Sequence, residues 1–241
     1  MAHNCYHPLV KSTYNPLREG LHAARLNLIP GLVLQAFALL LVLGYYFWPA
    51  FHLALAQLAE FKSEWGFAYS IVSTAIFGGL IPFLYLRFNP RTRTATPWKF
   101  LAFYLLFWAF RGFDVDLLYR IQALLFGSTP DAPTVIKKVV VDQFIYNPLW
   151  AAPLQILAYH WMDNHYSRRA FRDYSWREFF RRKIPTTMIS VWGVWIPMVS
   201  IIYCLPSDLQ IPLFNLVLCF WVLLLTALTK PKIVQEIEHG N

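Results

Sequence analysis

Six stretches of about twenty mostly apolar residues recur along this chain, and they limit its possible folds more than any other feature. A helix needs roughly 20 such residues to cross the hydrocarbon core of a bilayer. Five stretches meet that requirement plainly, and the sixth is apolar at both ends but charged in its middle. The sequence therefore predicts an all-α, polytopic transmembrane helix bundle with about six spans, at residues 28–48, 67–86, 100–125, 139–161, 186–205 and 211–229.

The composition points to the same class of protein. Hydrophobic residues make up 57% of the chain and charged residues only 14%, whereas soluble domains are about 25% charged. Ten tryptophans are enough to populate two membrane interfaces. The three cysteines, Cys5, Cys204 and Cys219, are odd in number and lack metal-ligand spacing, so they predict neither a disulfide framework nor a metal site.

Lys and Arg are distributed unevenly between the two sides of a six-span bundle. Sixteen of the 21 fall in the terminal segments and the two loops that would share one side, and three fall on the other. Short basic loops stay on the inner side of a membrane, so both termini are predicted on the inner side. A four-span arrangement preserves this bias only if two adjacent stretches fail to cross.

The chain divides into segments without an extra-membrane domain large enough to fold. A polar N-terminal segment, 1–27, lacks the apolar core of a secretory signal and is predicted to carry a short interfacial helix, with a mitochondrial presequence as the alternative. Two membrane regions with three spans each follow, and a polar tail ends the chain. The two membrane regions are 28–126 and 134–229, and the tail is 230–241.

The loop 164–183 combines arginines with aromatic rings. We expect it to lie at the lipid headgroup layer, where its arginines bind phosphates and its rings occupy the interface. Nucleic-acid binding is the competing interpretation of this composition. We expect no nucleic-acid partner, because the positive charge of the chain lies between apolar stretches, where anionic headgroups meet it. The basic residues of this loop are Arg168, Arg169, Arg172, Arg177, Arg181, Arg182 and Lys183.

Four charged residues, Arg111, Asp114, Asp116 and Arg120, lie in the middle of the third stretch. A charge at the depth of a bilayer costs roughly 2.5–3.5 kcal/mol and persists where it lines water or pairs with another charge. The i,i+3 and i,i+4 spacings favour pairing on one helix face. The cluster is either pore-lining or a set of pairs that fixes helix packing; a kink at Gly112 would instead place residues 114–120 near the outer surface.

Proline and glycine interrupt three of the predicted spans. Their presence in a membrane helix indicates either kinked helices packed closely together or broken helices around a central site, as in transporters. The residues are Gly78, Gly79, Pro82, Pro148, Pro153, Gly193 and Pro197.

Two motifs in the second membrane region occur in a fixed order. The first, VIKKVVVDQFIYNPLW, begins at residue 135, and the second, WGVWIPMVSIIYCLP, begins at residue 192; a tryptophan follows fifteen residues after the second motif. From about residue 134 onward, this pattern resembles the peroxisomal membrane protein 2/4 family. The matching positions are Lys137, Lys138, Asp142, Gln143, Pro148, Trp195, Tyr203, Pro206 and Trp221.

The resemblance implies a small multi-pass protein associated with non-selective pore or channel activity for small solutes. Family members occur in peroxisomal and mitochondrial inner membranes and have bacterial relatives. They usually have four spans, whereas six are predicted here, and Ile196 separates Trp195 from Pro197. Asp142 is either paired with Lys138 at a helix end or a carboxylate at a pore mouth.

The predicted function is therefore a pore or channel for small solutes, or a contribution to one. A structural or lipid-organising membrane protein is the main alternative, and an intramembrane enzyme is a weaker one. Because no GxSxG, HExxH or P-loop pattern occurs, we expect no catalytic residues, cofactor or metal. The expected partners are anionic lipid headgroups and small solutes, with a homo-oligomer left open. A bacterial inner membrane is favoured over a mitochondrial inner or peroxisomal membrane.

Overall fold

The computed structural model describes residues 15–172 and 174–228, with side chains up to 224, and every regular element in these ranges is helical. The predicted all-α fold is confirmed. Residues 1–14 and the predicted tail 230–241 lie outside the described residues. Six long helical rods follow one another: α1 (Pro16–Phe47), α2 (Pro49–Phe88), α3 (Leu101–Phe126), α4 (132–163), α5 (Trp176–Tyr203) and α6 (Ser207–Leu228). Short 3₁₀ turns, Trp98–Phe100 and Arg168–Phe171, lie in two of the connections.

Four of the rods are long and apolar enough to cross a membrane: Pro16–Phe47, Pro49–Phe88, Trp176–Tyr203 and, in α6, Ser207–Leu224. This composition is that of an integral membrane protein. The other two rods, α3 and α4, have sufficient length but carry the charged residues of the sequence motifs.

Helix α1 begins where its sequence contains a strong start signal. The side chain of Asn15 accepts hydrogen bonds from the backbone N–H groups of Leu17 and Arg18, and Pro16 occupies the first helical position. The helix then runs without a break to Phe47. The helix expected within 1–27 is therefore continuous with the first apolar stretch in the structure.

Three rods contain π-helical turns, and each of these turns ends two residues before a proline. The turns are Ala75–Leu80 in α2, Asp142–Ala151 in α4 and Phe179–Lys183 in α5, and the prolines are Pro82, Pro153 and Pro185. A proline ring clashes with the carbonyl four residues earlier, and a widened turn relieves this clash while the helix continues. The remaining α-helical parts are Pro49–Thr74, Ile81–Phe88, Ala132–Val141, Ala152–Asp163, Trp176–Glu178 and Ile184–Tyr203.

The backbone of α2 breaks at Gly66, which has φ +53° and ψ −125°. An L-residue with a side chain rarely adopts this conformation, so glycine is needed at this position. The break divides α2 into a first part, 49–65, and a second part, 67–88, which matches the predicted second span. By contrast, α3 passes through Gly112 without the kink that the sequence allowed.

Rods that follow one another in the chain run antiparallel, so their connections gather at two ends of the bundle, whereas α1 lies parallel to α5. At one end, the Ser207 hydroxyl lies 3.4 Å from that of Ser128, and the Tyr46 hydroxyl donates to the carbonyl of Cys204 at 2.6 Å. At the other end, the Lys99 ammonium lies 3.2 Å from the imidazole of His165. The core lies mainly between α3, α5 and α6, whereas large apolar side chains cover much of the outside.

Candidate functional site

A partly open cavity of about 410 Å³ lies between α3, α4, α5 and α6. Its volume falls within the range of about 300–1,000 Å³ that is usual for small-molecule sites. Its wall combines aromatic rings with a few polar groups, including Arg111, Asp142 and Gln143. This cavity is the candidate site, because residues from both halves of the chain line it together.

The π-helical turn of α4 forms the polar wall of the cavity. It contributes Asp142, Tyr146, Asn147 and Ala151, which lie on one face because a π-helix has more residues per turn than an α-helix. The indole N–H of Trp192 in α5 donates to the carbonyl of Gln143 at 3.2 Å. The widened turn thus directs a row of side chains inward and is held to α5 by one of its own carbonyl groups.

Asp142 is 6% exposed and bonds only to neutral groups among its described contacts. The Tyr203 hydroxyl donates to one carboxylate oxygen at 2.6 Å, and the Gln143 amide donates to the other at 2.9 Å. Lys138, one turn earlier, is also buried, but its ammonium lies over the ring of Tyr203, 5.7 Å from the centroid. Among the described contacts, the Lys138–Asp142 ion pair, one of the two predicted alternatives, is not formed.

Arg111 lines the cavity from α3 and is compensated by a carboxylate on its own helix. Its guanidinium donates to Asp114 and, at 2.9 Å, to the hydroxyl of Tyr146. Asp114 also accepts from the Tyr146 hydroxyl at 2.6 Å and from the Trp150 indole at 3.0 Å. This network joins α3 to α4 beside the cavity.

Asp116 and Arg120 belong to a different group of contacts, away from the cavity wall. Lys62 donates to Asp116 at 3.0 Å, Ser70 at 2.6 Å and Arg120 at 3.2 Å. Lys62 is 1% exposed and also reaches the carbonyl of Gly66 at 3.4 Å. The four charges that sequence analysis grouped together are therefore divided between a cavity-side pair and a pair that fastens α3 to α2 at its break.

The motif residues that carry the family resemblance occupy several different places. Asp142, Gln143, Trp195 and Trp221 line the cavity. Tyr203 donates to Asp142 and Lys138 lies over the ring of Tyr203, and neither of these two residues lines the cavity. Lys137 and Pro206 are exposed, and Pro148 lies within the π-helical turn at intermediate exposure.

The basic residues of the loop 164–183 face solvent. All seven predicted lipid-headgroup residues are exposed, and their loop lies at the end of the bundle marked by the Lys99–His165 contact. Arg182 and Glu178 form an ion pair at 3.9 Å on the surface. Asp173 lies outside the described residues.

Sequence analysis missed several residues of these networks. Lys62 falls in the loop between the first two predicted spans, and its partner Asp116 is 54 residues away. Tyr146 and Trp150 lie within the recognised motif but were not singled out. Tyr146 lies four residues after Asp142, and Trp150 lies four residues after Tyr146. Residues four apart share a helix face, so this spacing could have predicted that they lie on the same side of the helix as Asp142.

Comparisons with protein-family models, with curated proteins and with solved structures find no match to this chain.

Proposed function

We propose that this chain is a six-span integral membrane protein whose central cavity is part of a path for small solutes. The observation that carries the proposal is the 410 Å³ cavity with a polar wall inside a bundle of apolar helices. Buried polar groups cost stability unless they are satisfied. Ionisable residues inside a membrane bundle mark functional sites, among them substrate and ion pathways.

The burial of the charged residues supports six spans rather than four. On α3, Arg111 is 6% exposed and Asp116 is 3% exposed, and both are paired. Their charges therefore face protein rather than lipid, which reduces the cost of placing α3 in a bilayer. The length of α3, 26 residues at 1.5 Å each, amounts to about 39 Å, which is more than the hydrocarbon thickness.

The resemblance to the peroxisomal membrane protein 2/4 family adds support to a solute path. The resemblance rests on scattered polar and aromatic positions, and four of them line one cavity, as described above. Packing alone does not require an aspartate and a glutamine at such positions. A solute path accounts for these residues together, because all four would line it.

Flux through purified protein in liposomes tests the proposal. We expect neutral solutes of graded size, such as urea, glycerol and sucrose, to enter protein-containing liposomes with a size limit, measured by stopped-flow light scattering. Ala151→Phe fills the cavity wall and should reduce this flux. Ala102→Phe places the same side chain on an exposed position of α3 and is the matched control. Folded protein without flux above empty liposomes would overturn the proposal.

A structural or lipid-organising role is the second candidate, and the exposed basic loop favours it. Seven cationic side chains at one end of the bundle are suited to anionic headgroups. This role requires lipid binding without solute flux. The liposome experiment therefore separates the two candidates.

A further inference from the structure

We infer that the cavity binds a small organic cation of the ammonium type, held by the carboxylate of Asp142 and by a wall of aromatic rings. This inference deepens the proposed function, because it names the class of solute for the same cavity. It rests on the charges and the aromatic rings that line the cavity.

Asp142 supplies the negative charge. Both of its oxygen atoms accept hydrogen bonds, but the donors are a phenol hydroxyl and an amide, which leave its charge without a counter-ion among the described contacts. A buried carboxylate without a cation is costly. A ligand that carries a positive charge would supply the missing partner.

The positive charges near the cavity do not fill this role. Arg111 lines the cavity, but it is paired with Asp114 and bonded to Tyr146. Lys138 does not line the cavity, and its ammonium lies against the ring of Tyr203. Arg111 and Asp114 compensate each other, and Asp142 is the remaining charged side chain among the residues that line the cavity.

The aromatic wall favours an organic cation over an inorganic one. Trp195 lies 6.3 Å from both Phe214 and Trp221, measured between ring centroids, and the three rings line the cavity together with Trp108. Aromatic faces attract ammonium groups, and sites for quaternary ammonium are built from such rings. A divalent metal would need several anionic ligands, whereas Asp142 is the single carboxylate among the residues that line this cavity.

Equilibrium binding to the detergent-purified, full-length protein tests the inference independently of flux. Choline and 3,3-dimethylbutan-1-ol have nearly the same shape, but only choline is charged. We expect choline to quench tryptophan fluorescence with saturation and to bind roughly tenfold or more tightly than the neutral analogue. Equal affinities, or no saturable binding of choline, would overturn the inference even if liposomes show flux.

The carboxylate is tested by Asp142→Asn, which keeps the shape of the side chain and removes its charge. We expect choline affinity to fall about tenfold or more and the affinity for the neutral analogue to stay unchanged. Asp163→Asn makes the same change at an exposed position outside the cavity and should alter neither affinity. If Asp142→Asn does not fold, the comparison of the two ligands in the natural protein decides alone. Unchanged choline binding in a folded Asp142→Asn protein would contradict the inference.

Discussion

At the residue scale, the most consequential contact is the buried ion pair between Lys62 and Asp116. Both side chains are almost fully enclosed, and the hydroxyl of Ser70 supplies one more hydrogen bond. Removing one partner of such a pair strands the other charge, which costs roughly 3–5 kcal/mol. The role of this pair is therefore to hold α3 against α2, although Asp116 was also a candidate pore-lining residue in the sequence.

Asp116→Asn should lower the melting temperature strongly, because it leaves the ammonium of Lys62 buried without a counter-ion. Adding Lys62→Met should restore much of the lost stability. Adding Arg120→Gln instead should restore little, since the Arg120 side chain is 43% exposed and can reach solvent. Thermal unfolding in detergent measures all three variants, with Asp163→Asn as an exposed control. A rescue by Arg120→Gln as complete as that by Lys62→Met would contradict this assignment.

Asp131, in the loop before α4, provides a local test of pH dependence. The hydroxyl of Thr129 and the backbone N–H of Thr134 donate to its carboxylate and lower its pKa from 3.8 to about 2. A carboxylate with a lowered pKa stabilises the folded state above its unfolded-state value, and this contribution is lost as the pH falls toward the folded value. The cap of α4 should therefore weaken between about pH 4 and pH 2.

Hydrogen exchange of residues 128–138, corrected for intrinsic rates, should detect this weakening. Asp131→Asn keeps a side-chain oxygen that can cap the helix but does not titrate. We therefore expect the variant to lack the extra opening at low pH. The same acid-induced opening in both proteins would exclude Asp131 as its source.

At the element scale, glycines determine how closely the rods approach. A Cβ atom on Gly112 would overlap the backbone carbonyl of Ser70, so α3 meets α2 backbone to backbone at this position. Small residues permit such contacts between membrane helices. The glycine that sequence analysis treated as a potential kink in α3 is therefore a packing site.

Gly112→Ala should destabilise the protein by roughly 1–3 kcal/mol, because backbone atoms cannot move aside as a flexible side chain can. Gly193→Ala is the matched control, since nothing lies within 4 Å of a Cβ added there. In the control, the better helix propensity of alanine should leave stability unchanged or raise it by up to about 1 kcal/mol. Unfolding of both variants in the same detergent compares them, and equal stability would contradict the close approach.

The sequence predicted the helices better than their contacts, and the reason is physical. Length and hydrophobicity are local properties, so the six helical stretches could be predicted from them, and the resemblance to a known family singled out Asp142 and Gln143. The pairing of Lys62 with Asp116 depends on how α2 folds back after its break at Gly66. Likewise, the position of Trp221 in the same cavity as Asp142 depends on the packing of α6, which no local pattern specifies.

At the scale of the whole molecule, the surface is apolar along the sides and basic at one end. Leu124, Leu149 and Leu106 are more than 70% exposed, which suits contact with lipid rather than water. The exposed arginines of the loop 164–183 lie beyond this apolar surface. This distribution of apolar and basic surface fits a bilayer with anionic headgroups on one side.

Replacing Arg181, Arg182 and Lys183 together by Gln should weaken the interaction with anionic lipid, because each surface cation contributes about 1 kcal/mol. The measurement is the concentration of phosphatidylglycerol that gives half-maximal thermal stabilisation, at low and at high salt. We expect a higher concentration and a weaker salt dependence for the variant. Lys137→Gln, an exposed change outside this loop, is the control. Unchanged salt dependence in the triple variant would count against headgroup binding.

The positions of the connections at the two ends of the bundle predict which loops face each side of the membrane. Ser128 lies at the bundle end that contains Cys204, and Ser175 lies in the basic loop that reaches Lys99 at the opposite end. If all six rods cross the bilayer, these two ends face different compartments. The sixteen-to-three distribution of basic residues places the end with Ser175 inside.

Labelling of single cysteines with a membrane-impermeant maleimide tests this topology. The natural cysteines are first replaced by alanine, and one cysteine is then introduced at Ser128 or at Ser175. In oriented vesicles, we expect labelling of the two positions from opposite sides, because three crossings precede Ser128 and four precede Ser175. A third cysteine at Asn241, outside the described residues, should be labelled from the same side as Ser175. Labelling of Ser128 from the same side as Ser175 would mean that α3 does not cross the bilayer. The protein would then have four spans, with the charged rods α3 and α4 at the membrane interface.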